Sequence, residues 1–238
     1  LAGATIPKQM DGQAFLGPNV SAASWKSRNT VFAYADRFDE KYDLVRSLRK
    51  GRYKYIRNFQ PFNVDALYNF YRYKMLLYQE WWDMFRAGEL NAVQAQFFQQ
   101  RPAEQLFDLE KDPHEINNLA DNFAYQRVLA DIRKDFQRQL RAINDLSFFP
   151  EPYYLKMGIQ NPVQFGKDNQ QLIRELIAIA DLQLLPFNRA EKQLKSALHA
   201  PNPWKRYWAL IVCSSFGEQA ATFYPVAKEM ARKDAENL

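Results

Sequence analysis

The side chains best placed for chemistry are a run of charges, Asp36, Arg37, Asp39, Glu40 and Lys41, rather than any nucleophile. They follow residues 31–35, VFAYA, a short strand-like run of small and aromatic side chains. A planar guanidinium donates two parallel hydrogen bonds, so Arg37 could grip an anion while Asp36 or Asp39 accepts from hydroxyls beside it. The competing reading is a solvated rim in which Arg37 pairs with Asp39 or Glu40, a contact worth little. Other candidates are weaker. Cys213 lies in VCSSF on a helical pattern, the setting of a packed thiol. His114 falls in a turn and His199 at a helix end, far apart and without metal-ligand spacing. The glycines build no phosphate-cradling loop.

The elements around the rim follow from pattern. Residues 42–48 and 53–59 interleave Tyr, Val, Ile and Phe with Arg and Lys, which suits half-buried antiparallel strands, and Gly51 supplies the turn between them. Residues 105–109 read as another short strand, ended by a Lys111-Asp112-Pro113 turn. A helix is predicted over 125–144, with Val128, Ile132, Phe136, Leu140 and Ile143 on the face laid across the sheet. Residues 68–98 also read as helical, interrupted at Gly88 and restarted at Asn91, and their dense aromatics at helical spacing are expected to be core.

Residues 147–166 carry Pro150, Pro152, Gly158, Pro162 and Gly166, which predicts a domain boundary. Beyond it the chain reads as helices over 168–181, 189–199, 203–216 and 220–232, a helical repeat pattern. The expected fold is α+β, a small antiparallel sheet with packed helices followed by an all-α segment. The expected division is 1–146, including a connector over 1–29, then a linker over 147–166, then helical repeats over 167–238.

Composition narrows the function classes. A net charge of +5 is far from the signature of a dedicated nucleic-acid binder, although residues 46–57 with Tyr53, Tyr55 and Phe59 could be read as a basic, aromatic grip on a single strand. No run approaches the roughly 20 apolar residues of a membrane span. Neither nucleic acid nor membrane is expected as a partner. One cysteine excludes an internal disulfide framework and a cysteine zinc cluster. The chain starts at Leu1 without a visible signal peptide and stops inside a helical pattern, as a portion of something longer would.

Residues 104–120, EQLFDLEKDPHEINNLA, resemble the L-[YF]-D-L-x-x-D-P-x-E-x-x-N-L-A segment near the end of type I sulfatases, the arylsulfatase family. The match is carried by Leu106, Phe107, Asp108, Leu109, Asp112, Pro113, Glu115, Asn118, Leu119 and Ala120. The opening LAGATIPKQMDGQAFL is similar to the family's connector through Leu1, Ala2, Gly3, Pro7, Met10, Gly12 and Leu16. Arg46, Arg52, Tyr53, Lys54, Tyr55 and Ile56 resemble its hairpin. Three ordered matches over roughly 1–145 are far more specific than one. The segment PNPWKRYWALIVCSSFG, with Arg206, Tyr207, Trp208, Ala209 and Gly217, resembles a HEAT-repeat helix.

The resemblance implies the C-terminal portion of a sulfatase, built as a four-stranded sheet with one packed helix and followed by a HEAT-like tail. The expected partners are an alkaline-phosphatase-like N-terminal catalytic domain of the same polypeptide and a sulfated carbohydrate. The implied reaction is hydrolysis of sulfate esters or N-sulfates, with this portion closing the substrate cleft. Such enzymes use a formylglycine made within Cys/Ser-x-Pro-x-Arg and a bound Ca²⁺. No proline here is followed two residues later by arginine, and the family's calcium-binding Asp-Asp pair is missing, so both groups are expected outside this chain and the chain alone is expected to be inactive. Asp36, Arg37 and Asp39 are the implied substrate-binding residues, because the strand end they follow faces the catalytic pocket in the family. The implied location is periplasmic or secreted. The alternative is a noncatalytic HEAT-type scaffold that binds a protein partner.

Overall fold

A computed structural model describes residues 20–234 together with Met10, Gly12, Ala14, Phe15 and Gly17. The expected connector therefore lies largely outside the described residues, as do its matched Leu1, Ala2, Gly3, Pro7 and Leu16. Its last part holds a short helix, α1 (Ala22–Ser27).

Four strands form one antiparallel sheet in sequence order, β1 (Thr30–Phe38), β2 (Lys41–Lys50), β3 (Tyr53–Asn58) and β4 (Glu104–Asp108). Both tight turns use positive φ, 50° at Asp39 and 62° at Gly51, the conformation that matches strand twist and favours Asp and Gly. Alternation then sets the faces. Leu44 and Leu48 of β2, Tyr55 of β3 and Leu106 of β4 point to one side and are fully buried. The long helix Gln126–Ala142 covers that side through Leu129, Ile132, Phe136 and Leu140, with the Phe136 ring 5.1 Å from Tyr55 and 5.8 Å from Phe32. The predicted stripe is thus right at its centre and shifted at its ends. Leu129 is buried beside a half-buried Val128, and Ile143 lies past the last helical residue, exposed.

Between β3 and β4 come α2 (Phe70–Tyr73), α3 (Leu76–Ala87) and α4 (Ala92–Ala95). Gly88 ends α3 in the left-handed conformation, φ 74°, and Asn91 starts α4 through a reciprocal capping box with Gln94, as the sequence predicts. The expected core role of these aromatics does not hold. No residue of α3 is buried. Its inner side chains form a satellite stack, with Trp81 4.5 Å from Phe97 and Phe85 4.5 Å from Phe98, while Met75 and Leu76 stand exposed.

The segment after β4 is a scaffold made of turn chemistry. The Asp112 carboxylate accepts from the backbone N–H groups of Asn117 and Ile116, and these bonds, the Asn117 one first, hold its pKa below the usual carboxylate range. Asn118 Oδ1 accepts from Leu106 N at 2.9 Å and Ala120 N at 3.0 Å, tying the turn back to β4. Lys54 Nζ meets Glu115 at 2.7 Å. The family-like residues at 104–120 therefore hold a sheet edge together.

Beyond it lie α5 (Gln126–Ala142), α6 (Glu151–Met157), α7 (Pro162–Asp168), α8 (Gln170–Ala180), α9 (Phe187–Leu198), α10 (Pro203–Phe216) and α11 (Tyr224–Lys233). The proline- and glycine-rich stretch expected as a linker holds α6 and the first five residues of α7. Phe148 and Phe149, at its start, are buried in a core shared by the sheet, α5, α8 and α10. Asp168, expected at the start of the helix over 168–181, instead ends α7, and α8 begins at Gln170. Trp208 Nε1 donates to Phe148 O at 2.7 Å, and Phe59 packs edge-on to both rings, 5.0 Å from Phe148 and 6.1 Å from Trp208. A second core under α9 to α11 gathers Leu194, Leu198, Val212, Phe223 and Met230.

Candidate functional site

The charged rim lies at the β1–β2 turn, but not as a loop beyond a finished strand. β1 runs through Asp36 and Arg37, and its pairing register shifts between Ala35 and Arg37, an irregularity that re-aims side chains. The expected strand end at residue 35 is therefore corrected, because a charged strand edge can keep pairing.

Asp36 turns toward the α5 side. Its carboxylate accepts from Arg46 NH1 at 2.7 Å and NH2 at 3.2 Å, and from Ser147 Oγ at 3.0 Å. Arg46 sits between Leu44 and Leu48 on the buried face, with its side chain 2% exposed. On its other flank Nε and NH2 donate to Asp145 at 2.6 and 3.0 Å. A desolvated guanidinium needs such partners, and two carboxylates supply them.

Arg37 turns outward to α6. Nε donates to Glu151 Oε1 at 2.7 Å, NH2 donates to the other oxygen, and NH1 reaches the Asp39 carbonyl at 3.1 Å. This hydrogen bonding holds the Glu151 carboxyl below its ordinary pKa. The expected rim pair with the Asp39 or Glu40 side chain is replaced by a partner 114 residues away. Asp39 occupies the turn and accepts from the buried Asn69 Nδ2 at 3.3 Å. Glu40 accepts from Phe70 N. Asn69 also caps α2, so the turn and the start of α2 are fastened together. The three predicted residues lie together at the β1–β2 corner, Asp36 and Arg37 on β1 and Asp39 in the turn, but aim at three different elements.

Behind this turn, on the sheet face opposite α5, is a cleft of about 520 Å³ whose walls include Lys41, Asp43, Asn58, Asp65, Gln99 and Arg101. Arg101 bridges Asp43 at 2.7 and 2.8 Å, and burial lowers the Lys41 pKa. Sequence reasoning missed Asp145, Glu151, Asn69 and this cleft. One signal was available: an arginine in the apolar alternation Leu44, Arg46, Leu48 demands a buried anionic partner.

Among the described residues no group of three His, Cys, Asp or Glu side chains gathers to hold a metal ion. Burial pushes the Cys213 thiol up to about 11, and Cys213 lies within α10. No chemical step is assigned to calcium or to a formylglycine in this chain. Among the described residues no helix is long and apolar enough to cross a membrane.

No protein-family model matches the chain. Two curated relatives do, both named ulvan-active sulfatase and both from Formosa agariphila. One is 42% identical over 147 residues, covering 61% of this chain and 24% of the relative. The other is 28% identical over 154 residues, covering 61% of this chain and 27% of the relative. The chain thus spans about a quarter of the length of the curated relatives it matches. Over some three fifths of its residues it is homologous to a sulfatase.

Proposed function

We propose that this chain is the C-terminal part of a sulfatase that hydrolyses sulfate esters of a sulfated polysaccharide of the ulvan type, and that it closes the substrate cleft of a catalytic domain in the same polypeptide. The observation that carries the reading is the 42% identity over 147 residues to an ulvan-active sulfatase. The nucleophile and the calcium site belong to the rest of that polypeptide, and its location is periplasmic or secreted. The division into 1–146 and a HEAT-like helical part over 167–238, joined through 147–166, belongs to the same proposal.

The rim supports a substrate-facing role through Arg37. Its fork already holds a carboxylate, and a sulfate or uronate oxygen pair fits the same donors. Asp39 stands beside it at the turn, and Asp36 holds the strand from behind. The test is sulfate release from ulvan oligosaccharides by the polypeptide that carries this chain, with and without Arg37→Ala. A fall in kcat/KM of about tenfold or more is expected, the worth of one charge-assisted contact. Absence of sulfate release rejects the activity. Release with an unchanged kcat/KM rejects the contact.

A further inference from the structure

We propose that the outward apolar face of α2 and α3 is the surface on which the nucleophile-bearing remainder of a sulfatase chain packs. The inference rests on the functional reading above and adds the surface that joins the two parts. Tyr68, Phe70, Tyr71, Met75, Leu76 and Leu77 fall within ten consecutive residues and are 47–80% exposed. Scattered exposed leucines need no explanation, but a run of this density marks an interaction surface. The inner side of the same segment is already satisfied, since Tyr78, Trp81 and Phe85 stack on Phe97 and Phe98. On the outer side Tyr68 stacks on Tyr73 at 5.5 Å and Lys74 Nζ lies 4.2 Å from the centre of the Phe70 ring, while Tyr71, Leu76 and Leu77 stand 64–80% exposed.

Two observations select the occupant. The curated relatives extend over about three quarters of their length outside the matched region, so a large body of sulfatase chain exists to cover such a face. The patch is also continuous with the rim. Asn69 bonds both Phe38 O, at 3.2 Å, and Asp39, and Glu40 accepts from Phe70 N, so α2 cannot shift without moving the β1–β2 turn. Whatever covers Phe70 and Tyr71 also fixes where Arg37 and Asp39 stand relative to it. Docking through α2 and α3 thus positions the rim, and none of the apolar side chains needs to touch substrate.

The experiment is side-chain footprinting by carbene labelling, on this 238-residue chain and on the longer polypeptide that carries it. Tyr71, Met75, Leu76 and Leu77 label readily in the chain alone and are protected about tenfold in the longer polypeptide, as expected for side chains in the dry centre of an interface. Leu76→Asp/Leu77→Asp in the longer polypeptide restores labelling at Tyr71 and Met75 while Tyr55 stays protected in the folded core. Equal labelling in both forms overturns the proposal. So does concentration-dependent protection in the chain alone, which assigns the face to a second copy. Protection in a polypeptide that releases no sulfate removes the functional reading and keeps the docking surface. Sulfate release without protection does the reverse.

Discussion

Replacing Arg46 by methionine tests how the rim is anchored. Methionine keeps most of the apolar stem and removes the guanidinium, so the cavity cost stays small. What remains is two carboxylates with no cation, Asp145 at 6% side-chain exposure and Asp36 at 24%. Breaking a buried ion pair by removing one partner costs about 3–5 kcal/mol. Water can reach Asp36 and lower its share, which places the expected loss near about 3 kcal/mol. Against a typical total of about 5–15 kcal/mol this is a large fraction. A second substitution gives the sharper reading: Asp145→Asn made on top of Arg46→Met should recover about 1–2 kcal/mol, because it deletes an uncompensated buried charge. The same Asp145→Asn in the parent destabilises, so its effect reverses sign between the two backgrounds. The assay is urea unfolding followed by far-ultraviolet circular dichroism, with all four members of the cycle at one pH. A loss below about 1 kcal/mol for Arg46→Met, or additive effects in the cycle, would refute the claim that Arg46 holds Asp36 and Asp145 together.

Three further outcomes are expected. Trp208→Ala removes a buried ring that packs on Phe59 and Phe148 and orphans the Phe148 carbonyl; it should cost about 3–5 kcal/mol in one cooperative transition, and a separate early transition of the helical part would contradict the shared core. Burial raises the Asp181 carboxyl while Arg57 opposes it. Its folded value therefore lies above the unfolded one, and the stability it contributes is present at low pH and lost as pH rises through the folded value. Asp181→Asn should accordingly flatten the fall in the urea midpoint above the ordinary carboxylate range, and parallel curves for parent and variant would reject this. With its thiol at about 11, Cys213 should be slow to react in the folded chain. The thiolate fraction at pH 8 drops about two hundredfold relative to an ordinary cysteine, so titration with a disulfide reagent should be at least about a hundredfold faster in denaturant. Similar rates in both conditions would show an accessible thiol.

The sheet and α5 were legible because alternation and the helical period are local signals. Leu44, Leu48, Tyr55 and Leu106 fall on one face by counting in twos, and Ile132, Phe136 and Leu140 by counting in fours. The rim was legible as a cluster but not as a geometry. Nothing near residue 37 announces Glu151, and nothing near residue 46 announces Asp145; both partners arrive from the turn and helix that follow α5. The helices within residues 147–166 went unread for a related reason. Pro150, Pro152 and Pro162 do not keep those residues out of helices, because two of them occupy the first helical positions, where the missing N–H costs nothing. Aromatic density misled at α3 because periodicity shows that a face exists and is silent about which body covers it.

The two arginines of the rim differ in a way that decides which of the predicted residues can meet a ligand. Arg46 is buried between two carboxylates that have no other cation within the network, so exchanging either carboxylate for a passing anion would strand a charge away from water. Asp36 inherits that constraint, since its two oxygens serve Arg46 and Ser147. Arg37 is under no such constraint. Its side chain is 43% exposed and Glu151 33%, so Glu151 can be released into solvent at little cost while the fork accepts another pair of oxygens. On the proposed function, substrate contact therefore falls to Arg37. Asp36 then acts one step back, holding the irregular strand that aims it, and Asp39 holds the turn against α2. Selection on this rim would act on a contact cheap to exchange, mounted on one that is expensive to break.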